Sequence, residues 1–323
     1  MSLIELVCGE YRAGIDPATG GGLAYWRGRH DLVRAAATGE TSPQQFGCFP
    51  LLPYSNRIRN GRFDFAGQSV QLPLNFGDHP HSIHGHGWQN AWDVVKRTAN
   101  ELRLQYRHER GAWPFSYLAE QIFRLDEAGL CIDLRLANLG DRPMPCGLGL
   151  HPYFPATAET RIEAGVNGVW LTDDEIMPTA WAPTPANWDL RDGCAVAGMG
   201  CDNLFTGWDG TARISWPEKG LGLTITASAN LGYLVVYAPT GADFFCAEPV
   251  SHLTDAFNSG AEDVMNSFAN SQTNLAVNPS ATTSDGLSVG QGSVMGDGLS
   301  VGAVNTPTGE EIPEDAQQVQ NNN

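Results

Sequence analysis

From about residue 60 to residue 245 apolar side chains recur at every second position, and no stretch shows the 3.6-residue recurrence of a helix face. That period commits the chain to strands, because it lines one face of a pleated ribbon with apolar groups. Phe63 and Phe65 lead through the turn AGQ to Val70 and Leu72. Residues 122–125 and 130–136 flank the turn DEAG, with Leu130, Ile132, Leu134 and Leu136 on one face, and residues 212–216 and 221–227 flank PEKG. Leu102, Leu104 and Tyr106 mark another strand, and YLVVY at 233–237 reads as buried on both faces. Short strands at close spacing, punctuated by 37 glycines and 20 prolines, predict an all-β fold, a large antiparallel β-sandwich or barrel.

Composition divides the chain near residue 258. From 259 to 323 there is one aromatic residue, Phe268, and no lysine or arginine, while DGLSVG recurs at 285–290 and 297–302. So little apolar surface does not offset the entropy of ordering, so 1–258 is expected to be the folded domain and 259–323 a disordered, low-complexity tail. The nonapeptide signature of a calcium-binding roll is absent.

A formal charge of −17 opposes binding to nucleic acid or to an anionic membrane surface, and leaves a neutral small molecule as the easier partner. There is no basic leader followed by an apolar run, and no uninterrupted apolar stretch of the roughly 18 residues a membrane span needs. Seven cysteines, an odd number without a CxxC pair, read as buried thiols. These features predict a soluble protein of the reducing cytoplasm.

Chemistry concentrates in three places. HPHSIHGHGW, residues 79–88, holds His79, His81, His84 and His86, half of the eight histidines. Gly85 and Gly87 would let the backbone approach a ligand, and Trp88 and Trp92 would offer flat apolar surface for a sugar ring. His151 follows the apolar run 148–150 in GLGLHPYFP, placed to titrate near neutrality and pass a proton. Glu248 follows Phe244-Phe245-Cys246-Ala247. Emerging from so apolar a strand, it should be partly desolvated and therefore a stronger base at neutral pH. Arg57, in PYSNRIRNG, offers a fork of donors for hydroxyls or for a carboxylate such as Glu248.

Taken together, SNRIRNGRFDFAGQSVQLPLN, HSIHGHGW, GLGLHPYF, CDNLFTGW and AEPVSHLTDAFN resemble, in order and rough spacing, the motifs of the aldose 1-epimerase (galactose mutarotase-like) family over residues 10–258. The resemblance implies a galactose mutarotase-like supersandwich and a cofactor-free, metal-free enzyme that interconverts the α and β anomers of a free aldose such as glucose or galactose. By motif, Glu248 is similar to the family's general base, His151 to its general acid, and His84 to the second histidine near the ring oxygen. Arg57 and Asp202 resemble the residues that grip sugar hydroxyls, with Asn56 and Trp88 as further substrate contacts. After DAFN the family continues into a closing strand, and here the low-complexity segment begins instead, which predicts an exposed sheet edge. Two other readings remain. One is a sugar-binding or regulatory protein on the same scaffold. The other is a metal-dependent, cupin-like isomerase or oxygenase built on His81, His84 and His86.

Overall fold

The computed structural model describes residues 3–259 and, as backbone, 270–281. Two large antiparallel sheets dominate the described residues. The first runs in the order Ile4–Cys8, Tyr11–Asp16, Gly22–Arg27, Cys48–Leu51, Gly149–Pro155, Phe244–Val250, Tyr233–Ala238, Cys201–Thr206, Gly168–Thr172, Pro178–Pro183. The second runs Cys194–Ala195, Arg161–Ala164, Thr211–Trp216, Leu221–Ala227, Asn270–Ala281, Leu130–Asn138, Tyr117–Leu125, Glu101–His108, Asp93–Arg97. The hairpins read from alternation are present: Arg62–Phe65 pairs with Gln68–Gln71, Tyr117–Leu125 with Leu130–Asn138, and Thr211–Trp216 with Leu221–Ala227.

Alternation sorts the first sheet into two faces. Phe154, Phe245, Ala247, Val236, Phe205 and Val169 point into a continuous apolar core shared with Leu102, Phe123, Ile132, Leu134, Ile214 and Leu223 of the second sheet. The opposite face carries a separate cluster that includes Phe49, Tyr153, Cys246, Val235 and Leu204, covered by Ile83 and Trp88 from the histidine-rich loop. That outward face carries the candidate site, so the core fixes its floor while loops supply its walls.

Within the segment expected as a disordered tail, Asn270–Ala281 is a strand, and residues 260–269 and 282–323 lie outside the described residues. This strand pairs with Leu130–Asn138 on one side and with Leu221–Ala227 on the other. Only Leu275, Ala276 and Val277 are paired on both sides, so the most apolar triplet of the segment sits where the sheet is continuous. Pro279 faces Leu223 beyond the end of the Leu130–Asn138 ladder, where one side of the strand needs no donor. The DGLSVG repeats lie outside the described residues.

A chain ended after residue 260 loses this strand and bares two ladders in mid-sheet. We expect that truncation to aggregate or to lose cooperative unfolding, and a chain ended after residue 292 to keep both, as read by size-exclusion chromatography and thermal circular dichroism. Equal melting of the two truncations would remove the strand from the folded unit.

Candidate active site

Two loops meet over the outward face of the first sheet. Arg57 and Ile58 pair with Ile83 and Ser82, and Leu52 bridges to Gly85. Asn56 and His84 close the junction reciprocally: the His84 N–H donates to the Asn56 carbonyl at 2.8 Å, and the Asn56 N–H donates to His84 Nδ1 at 3.0 Å. Both residues hold left-handed backbone, φ 54° and 59°, where an asparagine is tolerated and a histidine must be held by its contacts. Gly85 follows at φ 66°, and a Cβ there would overlap the Leu52 carbonyl. Because His84 Nδ1 accepts a backbone hydrogen bond, the neutral ring carries its proton on Nε2.

The sheet sets the other reactive groups. Gly149 faces Val250 and Tyr153 faces Cys246, which puts His151 opposite Glu248 on adjacent strands. Their side chains meet, with His151 Nε2 3.3 Å from Glu248 Oε1, and both are buried at 6% and 3% exposure. Phe49 and Tyr153 stack on His151 with ring centroids 4.6 and 4.7 Å away, and the His84 ring stands edge-on at 5.2 Å. Asp202, on the next strand but one, stands 3.7 Å from Arg57 Nη2, while Arg57 Nη1 donates to Asn56 Oδ1 at 2.9 Å and Arg57 Nε faces His79 Nε2 at 3.3 Å. Arg57 therefore pairs with Asp202, and Glu248 takes His151 as its contact.

Burial sets the protonation of this group. Desolvation, reinforced by Asp202, raises Glu248 well above the carboxylate range, and Arg57 opposes the rise. Desolvation also raises Asp202, again against Arg57. It lowers His151 and His84 well below the ordinary imidazole value, His84 further through its histidine and arginine neighbours. The expectation that His151 titrates near neutrality is thus corrected: buried against two aromatic rings, its charged imidazolium is disfavoured. A buried acid and base in contact hold one proton between them over a wide pH range.

Six of the seven residues named from the sequence, Glu248, His151, His84, Arg57, Asp202 and Asn56, come together here. Trp88 is the exception. It is 2% exposed, lies behind Phe49 at 5.4 Å, and spends its indole N–H on the Gly85 carbonyl, so it backs the site and presents no face to a sugar. Phe49, Tyr153 and Cys246 were not foreseen. Tyr153 and Cys246 lie two residues from His151 and Glu248 on their strands, a spacing that puts each on the same face. Phe49 carries no such signal, since its strand is about a hundred residues away.

The cupin-like trio does not form. His81 Nδ1 accepts from the Asn60 N–H and its Nε2 stands 3.1 Å from Glu175, His84 is tied to Asn56, and His86 Nε2 meets the Tyr117 hydroxyl at 2.7 Å. Among the described residues, the donor atoms gathered within 4.8 Å of one another are instead those of His151, Cys246 and Glu248. Of the seven cysteines, Cys48, Cys146, Cys201 and Cys246 are buried and Cys8, Cys131 and Cys194 partly exposed.

On the outward face of one sheet of this two-sheet antiparallel sandwich, a buried His–Glu contact stands beside an arginine–aspartate pair. A sequence model of the family described as aldose 1-epimerase matches residues 17–274, and the chain belongs to that family. It is 31% identical over 263 residues to the uncharacterized protein YphB of Escherichia coli (strain K12), spanning 79% of this chain and 90% of that one. Among solved structures, one of an Escherichia coli K12 protein provisionally called an aldose 1-epimerase is similar at a TM-score of 0.80 and 27% identity, covering 87% of this chain and 99% of that one. A galactose mutarotase-like protein from Clostridium acetobutylicum shares the fold at a TM-score of 0.78 and 19% identity, covering 87% and 95%.

His86 offers a test that leaves the reactive pair untouched. Burial, with His108 nearby, lowers it to about 3, while the unfolded chain protonates near the ordinary value of about 6.5. Between those values the unfolded state binds the extra proton. The contribution is therefore intact above pH ~6.5 and is lost as the pH falls toward 3, by about 1.4 kcal/mol per pH unit. We expect His86→Gln to flatten the acid limb of the melting temperature against pH, and an unchanged limb would contradict burial of a neutral ring.

Proposed function

We propose that the protein is an aldose mutarotase that opens and recloses a free hexose or related aldose by acid–base catalysis. The observation that carries this reading is the buried contact of His151 Nε2 with Glu248 Oε1 at 3.3 Å. A protein that only binds sugar needs hydroxyl contacts; it has no use for a desolvated carboxylate matched to an imidazole.

The chemistry moves one proton each way. With the pair as carboxylate and imidazolium, Glu248 takes the proton of the C1 hydroxyl, its electrons form the C1 carbonyl, the C1–O5 bond breaks, and His151 protonates O5. The pair is then carboxylic acid and neutral imidazole, the form that burial favours. After rotation about C1–C2, O5 attacks the other face of the carbonyl, His151 takes back its proton and Glu248 returns one to O1. Arg57 opposes the rise of Glu248 and so keeps the carboxylate accessible at the start. Nε2–H of His84 is a donor for the ring oxygen or a neighbouring hydroxyl, and Asp202 and Arg57 are the grip on the rest of the sugar. No nucleotide or metal is required by these steps. The reading carries a cytoplasmic setting, for which an odd number of cysteines without a CxxC pair is the support. No helix among the described residues is long and apolar enough to cross a membrane.

The test is polarimetry of freshly dissolved α-glucose and α-galactose in chelator-containing buffer, where we expect faster approach to equilibrium rotation. Glu248→Gln should lower kcat by about 10²–10⁴-fold while sugar still binds in calorimetry. Activity should fall on the acid side as the pair gains a second proton and on the alkaline side as it loses its last. Full anomerisation by Glu248→Gln would overturn the base assignment.

A further inference from the structure

The proton-transfer steps leave Arg34, a cation close to the reactive pair, without a task. Arg34 stands in the segment between the strands Gly22–Arg27 and Cys48–Leu51. Its backbone N–H donates to the Tyr153 carbonyl at 2.8 Å, and its guanidinium lies over the Tyr153 ring, 3.8 Å from the centroid. One residue thus grips Tyr153 through main chain and side chain at once. Tyr153 in turn stacks on His151, with centroids 4.7 Å apart and planes 17° apart. The guanidinium is therefore one ring away from the imidazole that donates to the ring oxygen.

That guanidinium is fixed, and its charge is not cancelled. Nη2 donates to the carbonyls of Gln44 and of the fully buried Phe46, and the Phe244 ring centroid lies 4.9 Å from Cζ. Nε is buried and makes no hydrogen bond among the described residues. Among those residues Arg34 has no carboxylate partner, whereas Arg57 has Asp202. The other titratable or charged groups around His151 are Glu248 and Cys246 from Phe244–Val250, Tyr153 from its own strand, Cys48 from Cys48–Leu51, and His84 and Arg57 from the two loops. Of these neighbours, Arg34 is the permanent cation without a matching anion. Burial is the main cause that lowers His151, and Arg34 adds to it ahead of Arg57.

We propose that Arg34 is a positioning residue for the acid: it clamps the Tyr153 ring on which the His151 imidazole lies, and its uncancelled charge drives the proton from the imidazolium toward the ring oxygen. This rests on the mutarotase reading. Arg34 acts through Tyr153, which carries the contact to His151. The two parts of the role come apart chemically. Lysine keeps the charge but loses the flat stacking surface and the fork that binds two carbonyls, and glutamine loses both.

The experiment follows anomerisation of glucose and galactose against pH for the full-length protein, Arg34→Gln and Arg34→Lys. Without the cation the doubly protonated pair forms more readily, so the acid limb of kcat/KM should move up by about one pH unit in Arg34→Gln, with kcat about tenfold lower and KM little changed. Arg34→Lys should leave the limb in place and recover part of kcat. Arg34→Met, which keeps an apolar stem over the ring, carries the same expectation as Arg34→Gln should that variant not fold. A lower melting temperature with the acid limb unmoved would make Arg34 a purely structural tie and overturn the proposal, and so would a loss confined to KM. Nitrogen-15 NMR of the His151 ring in Glu248→Gln, with and without Arg34→Gln, separates this inference from the catalytic one. Protonation at a higher pH once Arg34 is gone supports it even if no sugar is turned over, and an unchanged titration overturns it.

Discussion

Everything at this site depends on the register of one antiparallel sheet. His151 faces Phe49 on one side, and the ladder with Phe244–Val250 puts it opposite Glu248 on the other. A slip of one residue in either ladder would turn His151 or Glu248 into the core. Register is held by what lies beneath. Phe154, Phe245 and Ala247, the alternate residues of the same strands, are 0% exposed in the core between the sheets. Packing on one face therefore specifies chemistry on the other, and the reactive distance of 3.3 Å is a consequence of core burial.

The same burial decides protonation. An isolated buried carboxylate or imidazolium is costly, and each group shifts toward its neutral form. Placed in contact, the two need only one proton between them, and its transfer converts an ion pair to a neutral pair without changing the net charge of the site. Arg57 sits where it tempers the cost of the ionised form of Glu248 and, through Asp202 and Asn56, is fixed from two other directions. The loops that carry Arg57 and His84 in turn hold each other through the backbone of Asn56, which accepts from the His84 N–H and donates to the His84 ring at Nδ1, so that ring is already fixed before a ligand arrives.

Much of this was legible in the chain. Period-two alternation marks strands reliably where one face is buried and the other is not, as in 130–136, and the residues two positions from His151 and Glu248 share their face by the same rule. The direction of a loop side chain carries no such rule. HGHGW places Trp88 near the site in sequence, yet the turn at Gly87–Gln89 carries its indole behind Phe49, and His86 points to Tyr117 of the second sheet. Composition carries no sign of the strand Asn270–Ala281 because a strand between two others draws its hydrogen bonds from neighbours already in place. It needs little apolar surface of its own, and its three doubly paired residues, Leu275 to Val277, are the apolar ones.

Sheet register also separates fixed positions from tolerant ones. His151 and Glu248 sit on central strands, where both ladders and the core fix them. Trp181, by contrast, stands on the edge strand Pro178–Pro183, opened by Pro178 and closed by Pro183, whose outer side pairs with nothing among the described residues. Substitution there leaves the core between the sheets undisturbed, whereas a change at Val236 or Phe205 would disturb it. An edge is where a sheet tolerates change, while the distance from His151 to Glu248 stays set by two paired central strands and the core beneath them.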